Sequence, residues 1–251
     1  MEKITSRNNP KIKYACSLKN ARETAFVLAE GLRLCRDAAE NGIAISTCFL
    51  TEKMYQSGEC AAILEASQAS FLIEQSVSEK LAETKNPQGI FCICQKPQLS
   101  CEIDSSGKYL LLEQVRDPGN FGTMVRTAEA FGLSGILACD CCDAFSAKAM
   151  RASMGAVFRF PVIEIEQEEA FLRDIIGKGM NLYCAVVESA AADVGTLARQ
   201  QGIITAVGNE ANGLSRETLA LGTPVTIHMA GRAESFNVSQ AATVIMYEMA
   251  K

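Results

Sequence analysis

Asn120 and Arg126 stand close together in residues 113–132, EQVRDPGNFGTMVRTAEAFG, and pair a polar amide with a permanent cation. A guanidinium, with a pKa above about 12, donates hydrogen bonds and holds anions but does not readily accept a proton. The chemistry that suits this pair is anion binding, or stabilisation of negative charge as it develops. The surrounding elements place them well. Residues 109–112 read as an apolar strand and Asp117-Pro118-Gly119 as a turn. Asn120 then reads as the N-cap of a helix with Met124, Thr127, Ala128 and Phe131 on its apolar face. That puts the amide at the carboxyl end of a strand, where open α/β sheets bind ligands. On these residues alone the plainer reading, a capped helix with a solvated arginine, is preferred.

Other chemistries find less support. There is no GxxxxGK[ST] phosphate loop, and the glycines after residues 109–112 do not make a GxGxxG fingerprint. His228 is the only histidine, so Ser-His-Asp or Cys-His catalysis would have to run through it. It is expected inside a strand over 224–229, packed or hydrogen-bonded. Cys139-Asp140-Cys141-Cys142 lacks a second cluster to complete a tetrahedral site, and no metal is expected.

Two further stretches give Arg126 a context. VGNEANGLS (207–215) follows a β-rich run, and IHMAGRAESFNVSQAA (227–242) lies near the C-terminus. With DPGNFGTMVRTAEAFG they resemble, in order and spacing, the three motifs of the SpoU/TrmH family of RNA ribose 2′-O-methyltransferases. The resemblance implies a C-terminal parallel-sheet α/β domain with a deep trefoil knot, S-adenosylmethionine as cofactor and pairing into a homodimer through that domain. It implies cofactor contacts at Gly208, Asn209, Ile227, Met229 and Phe236. It implies a catalytic set of Asn120, Arg126, Glu210, Ser235 and Asn237, with Arg126 as base or electrostatic clamp. The clamp is the physically safer role, with Ser235 and Asn237 orienting the guanidinium. Glu210 reads equally as a loop-holding residue that accepts backbone amides. The family usually has proline at His228 and more often leucine at Phe236. Residues 143–161 also resemble the family, with Arg151 and Ser153 facing substrate; a helix merely packed on the sheet is the alternative.

The net charge of −5 looks wrong for a nucleic-acid binder, but its distribution does not. Residues 1–22 carry Lys3, Arg7, Lys11, Lys13, Lys19 and Arg22 against Glu2 alone. A basic head on an acidic body reads as a localised phosphate-binding footprint, or as a solvated terminus. RNA contacts are expected at Arg7, Lys11, Lys13, Arg33 and Arg151, with rRNA favoured over tRNA. No apolar run is long enough to span a membrane, and no signal peptide is read. The eleven cysteines then read as reduced thiols used as small hydrophobes in a cytoplasmic protein.

Taken in order, the chain alternates strands and helices throughout. Asn9-Pro10 opens a helix that turns Ile12, Ala15, Cys16 and Leu18 inward and its lysines outward. Strands follow at 24–29, 43–50, 71–74 and 89–95, with helices between, the last capped by Ser76 or Ser78. This forms a small α/β domain over 1–96; ITSRNNPKIK, FVLAEGLRL and NPQGI resemble the RNA substrate-binding domain that precedes many members of the family. Residues 97–107 read as a linker and 108–251 as the methyltransferase domain, a parallel sheet covered on both faces. The reading is an RNA ribose 2′-O-methyltransferase; the alternative is a catalytically silent RNA-binding or ribosome-associated protein with the same fold.

Overall fold

The computed structural model describes residues 1–20, 24–97 and 102–251. Arg22 and residues 98–101 of the expected linker lie outside the described residues. Two compact units emerge, Met1–Gln98 with Phe145–Arg159, and Leu99–Ala144 with Phe160–Lys251.

The first unit is built on a five-stranded sheet of β1 (Glu2–Ile4), β2 (Phe26–Glu30), β3 (Ile45–Thr51), β4 (Ser70–Ile73) and β5 (Ile90–Gln95), in the order β1-β4-β3-β5-β2. β5 runs antiparallel to both neighbours and the other pairings are parallel. Its helices are α1 (Pro10–Ser17), α2 (Leu32–Glu40), α3 (Glu52–Gln56), α4 (Ala61–Ala66) and α5 (Gln75–Leu81). α1 starts as expected: Asn9 caps it by accepting from Lys11 N at 2.9 Å, with Pro10 in the first turn. Ile12 and Ala15 are buried while Lys11 and Lys13 face solvent. α5 differs from expectation. Glu74 stands at its N-cap without a side-chain bond, and Ser78 is fully buried inside the helix. The core holds Phe49 and Phe91, both fully buried and each stabilising by about 1.5–3 kcal/mol.

The second unit carries seven strands, all parallel: β6 (Lys108–Glu113), β7 (Gly135–Cys139), β8 (Val162–Ile165), β9 (Asn181–Ala185), β10 (Ala192–Asp193), β11 (Ile203–Val207) and β12 (Thr223–Thr226). Their order is β10-β12-β9-β11-β6-β7-β8. β6 lies inside the sheet, between β11 and β7, which is why its sequence is a continuous apolar run rather than an alternating one. Helix α6 (Pro118–Ala130) follows β6. α7 (Ala147–Ala152) lies in the segment 145–159 and belongs to the first unit, although its residues fall within the stretch expected to form the second domain. α8 (Glu168–Gly177), α9 (Arg216–Leu221) and α10 (Val238–Ala250) complete the chain. Leu172 and Ile175 of α8 pack on Leu111, Leu137, Leu182 and Ile204 of the sheet. α10 packs on α6.

β12 stops at Thr226, after its last pairings with β9 and β10, so His228 lies beyond the strand and is exposed. Its Nε2 is 3.8 Å from an Asp193 carboxylate oxygen. β10 and α9 were not anticipated. All ten described cysteines are free thiols, eight of them buried.

Candidate active site

On one side of β6 the sheet continues through β7 and β8, and on the other through β11, β9 and β12. The direction of winding therefore reverses between β6 and β11, the point at which open parallel sheets leave a crevice at their carboxyl ends. A cavity of about 230 Å3 opens beside that point, at the carboxyl ends of β11, β9 and β12, walled by Ala185, Val207, Val225 and Ile245. Gly208, Asn209, Ile227, Met229 and Phe236 all line it, as do Glu210 and Ser235. The loop after β11 closes on itself through Asn209 N to Gly213 O (3.2 Å) and Gly213 N to Asn209 O (2.8 Å). A Cβ at position 208 would lie 2.2 Å from the Gly213 carbonyl carbon, so only glycine lets the loop fold back this tightly.

Residues 227–236 form the other rim. Their backbone donors and acceptors make no hydrogen bond with any described residue. Ile227 and Met229 are partly buried at the cavity wall and the rest of the segment is exposed, so its main-chain groups are open to water or to a ligand. Phe236 is 45% exposed at this rim, and its ring remains available to a flat ligand.

A polar chain crosses the mouth. Asn120 donates from Nδ2 to Glu210 Oε1 at 2.7 Å, and Asn237 donates from Nδ2 to Asn120 Oδ1 at 3.3 Å. The Glu210 carboxylate, which only accepts, fixes which way the Asn120 amide faces. Asn237 Oδ1 is also the N-cap of α10, accepting from Ser239 N (2.9 Å) and its hydroxyl (2.6 Å). Asn120 itself is not a cap. Asp117 caps α6, accepting from Asn120 N at 2.9 Å, with Pro118 in the first turn. The shift frees the Asn120 side chain for Glu210. Asn209, rather than Glu210, holds the loop: its Oδ1 accepts from Ala211 N and Asn212 N, and its Nδ2 donates to Gln114 O at 3.0 Å. Gln114 presents that carbonyl from left-handed backbone at φ 57°.

Arg126 and Ser235 stay outside this chain. Arg126 is exposed on α6 and makes no hydrogen bond or ion pair among the described residues. Asn237 is committed to Asn120 and its own helix, so it does not orient the guanidinium as expected. Beneath the loop sits a set of residues that the motif reading missed. Glu113, only 3% exposed at the end of β6, accepts from Ser215 N at 2.9 Å. Glu168 of α8 lies near Glu113 and Cys139, and Thr218 Oγ1 donates to it at 3.2 Å. Burial, with the Glu113 charge beside it, pushes the Glu168 carboxyl up to about 7. An acidic residue closing an apolar strand was the one available signal.

A family model described as the SpoU rRNA Methylase family matches residues 107–247, and one described as an MRM3-like substrate binding domain matches residues 9–92. The chain belongs to the SpoU rRNA methylase family. It is 27% identical over 255 residues to the 23S rRNA (guanosine(2553)-2'-O)-methyltransferase RlmP of Bacillus subtilis, covering 99% of each chain. It is 32% identical to an uncharacterised tRNA/rRNA methyltransferase of Synechocystis, covering 98% of this chain and 92% of that one. Among solved structures, an AdoMet-bound rRNA methyltransferase from Sinorhizobium meliloti is 30% identical with a TM-score of 0.85, over 99% of this chain and 97% of that chain.

In this SpoU family chain the expected RNA-contacting residues have unequal freedom. Arg7, Lys11, Lys13 and Arg33 are exposed, and Lys11 Nζ also stands 5.2 Å over the Phe71 ring. Lys3 is paired with Glu74 at 2.7 Å, and Lys19 Nζ donates to the carbonyls of Lys80 and Ala82 at 3.0 and 3.1 Å. Those two lysines already have partners. Arg151 is drawn towards Glu30 and Glu83, and Ser153, fully buried, donates to Met150 O, so Ser153 does not face substrate.

Proposed function

We propose that this chain transfers the methyl group of S-adenosylmethionine to a ribose 2′-hydroxyl of ribosomal RNA. The observation that carries the reading is the switch-point cavity, apolar in its walls and rimmed by the unspent backbone of residues 227–236. Such a rim fits an adenosine and an amino-acid tail, which need apolar cover and main-chain hydrogen bonds together. When bound, the cofactor supplies an electrophilic sulfonium methyl. Gly208, Asn209, Ile227, Met229 and Phe236 hold it, the glycine by allowing the loop to close and Phe236 by offering a ring face.

The protein's remaining task is to align the acceptor and ease loss of its proton. The Asn120–Glu210–Asn237 chain sets a rigid polar edge at the mouth of the cavity. Arg126, with its guanidinium unspent, clamps phosphate or the 2′-oxygen and favours the alkoxide as the proton leaves. Ser235, exposed at the rim, faces the acceptor. Residues 1–96 bind RNA through Arg7, Lys11, Lys13 and Arg33, joined by Arg151 of the α7 segment; residues 97–107 link the domains, and 108–251 carry the chemistry. The same reading gives the C-terminal domain a trefoil knot and places the protein in the cytoplasm. Among the described residues no helix is long and apolar enough to cross a membrane.

Homodimerisation through α10 is part of this reading. Ile245, Met246 and Met249 are buried inward, whereas Tyr247 is 51% exposed with its ring 5.9 Å from that of Phe131. An aromatic pair on an outer face is suited to a second copy. Sedimentation at micromolar concentration is expected to show a dimer, and Tyr247→Glu to shift it towards monomer; a wild-type monomer would remove this element.

The activity is tested with labelled cofactor and rRNA from cells lacking the gene. Label is expected in rRNA, in alkali-resistant dinucleotides, because a 2′-O-methyl blocks cleavage at that linkage. Label confined to tRNA would reassign the substrate. No transfer to either RNA, with RNA binding intact, would favour a silent RNA-binding protein.

A further inference from the structure

A second cavity, of about 240 Å3, opens in the first unit between the start of α2 and the α7 segment. It nearly equals the switch-point cavity of about 230 Å3, in which the reading above seats an adenosine-bearing cofactor. Leu34, Met150 and Met154 give it apolar walls, and Arg33, Arg151 and Gln88 bring polar groups to it.

Three features mark it as built. Arg151 is anchored without being used up: Nη1 lies 3.9 Å from Glu30 and 3.7 Å from Glu83, and this buried nitrogen makes no hydrogen bond. Glu30 meanwhile accepts from Glu83 N, Thr84 N and the Thr84 hydroxyl, and at 3.9 Å it steers the guanidinium by charge without closing around it. Met154 sits at φ 52°, left-handed backbone that a methionine rarely adopts and that concentrates at functional sites. The next residue enforces that turn. Gly155 has φ +82° and no room for a Cβ, which would fall 2.2 Å from an Asp37 oxygen, and Arg159 grips the same oxygen at 2.6 Å. Finally, Gln88 Oε1 is pinned by accepting from Leu32 N at 2.8 Å, which leaves its amide N–H groups without a partner among the described residues.

We propose that this cavity takes one unpaired nucleotide of the substrate RNA, with its base against Met154 and Leu34 beside the Arg151 guanidinium and its phosphate at Arg33. Electrostatics sets that orientation. Glu30 and Glu83 flank Arg151 and oppose an anion inside, whereas a neutral flat base lies well on apolar walls and against a guanidinium plane. Arg33, exposed and without a partner among the described residues, is the cation left for the phosphate. The Gln88 amide offers a donor to a base carbonyl, and so a means of preferring some bases over others. The proposal rests on the RNA-methyltransferase reading, but its first test requires no methylation.

The full-length protein, labelled with 13C-methyl methionine and saturated with S-adenosylhomocysteine to occupy the switch-point cavity, is titrated with each of the four ribonucleoside 5′-monophosphates. The Met150 and Met154 methyl signals are expected to move saturably under the ring current of at least one base, while Met229 stays still. Met154→Gly, which takes the left-handed backbone freely, is expected to weaken that binding roughly fivefold or more, the loss of one contact to a base. With rRNA from cells lacking the gene it should raise KM and leave kcat unchanged. Methyl signals unmoved by all four nucleotides, or moved equally by inorganic phosphate alone, would overturn the nucleotide site whatever the methylation assay gives. An absence of methyl transfer beside an intact Met154 response would instead count against the enzymatic reading.

Discussion

Arg126 shows best what residue types alone disclose. Its place on α6 was legible from Asp117-Pro118-Gly119 and the apolar positions after it, and the structure leaves its guanidinium exposed and unspent. The polar residues around it were legible by type but not by partnership. Asn120 was expected to cap α6; Asp117 takes that role, and Asn120 turns to Glu210, ninety positions away in sequence. No local pattern encodes a bond of that span. Arg126→Ala is expected to leave the fold intact, since an exposed helical arginine becomes alanine at little cost. Cofactor affinity should hardly change, while methyl transfer at saturating RNA falls by ~10²–10³, the loss typical of removing one preorganised charge-stabilising donor. Arg126→Lys should rescue poorly, because an ammonium lacks the planar fork that engages two oxygens together. Single-turnover transfer alongside calorimetric cofactor titration decides between roles. A near-normal rate removes Arg126 from catalysis, and a lost titration moves it to the cofactor.

At the scale of elements, several longer ones appeared close to where sequence placed them, as α1, β5 and β6 show. The short ones did not. β10 has two residues and α9 six, too few to establish a period, and β12 ends where its partner strands end rather than where its apolar residues do. What fixes the loop after β11 was equally hidden. Glu113 and Glu168 come from β6 and α8 and meet only in the folded sheet. Their meeting has a pH consequence. Glu168 is raised to about 7 in the folded protein, so between an unfolded value near 4.5 and that pH the unfolded chain sheds a proton that the folded one keeps. This contribution to stability is complete below the lower value and is lost as pH rises through about 7. Glu168→Gln, neutral throughout, should be more stable than wild type at pH 8 by on the order of 1 kcal/mol, discounted because the carboxyl is only half-buried. The two should converge near pH 5, where Glu168 itself is neutral. Urea melts at both pH values check this, and a constant difference across them would separate Glu168 from the pH response.

At the scale of the molecule, the basic head and the α7 segment bear on the same question, how RNA is held. Removing residues 1–96 is the obvious way to ask, but it would strip cover from Met150 and Phe158, which are 2% and 1% exposed within the first unit. Lost binding would then report damage as readily as lost contacts. Charge neutralisation in the intact chain avoids this, and the structure says which charges to remove. Lys3 is already paired with Glu74 at the surface and Lys19 with two backbone carbonyls, so neither charge is as free to meet a phosphate. Arg7, Lys11 and Lys13 stand in solvent on or beside α1. Each phosphate neutralised contributes about 0.7–0.9 to the slope of log affinity against log salt, through release of condensed counterions. Replacing all three with glutamine is therefore expected to make the slope shallower by roughly 2–3, with cofactor affinity and thermal stability unchanged. Binding to rRNA measured across a salt series checks it. An unchanged slope would place the electrostatic footprint elsewhere, with Arg33 and Arg151 the next cations to neutralise.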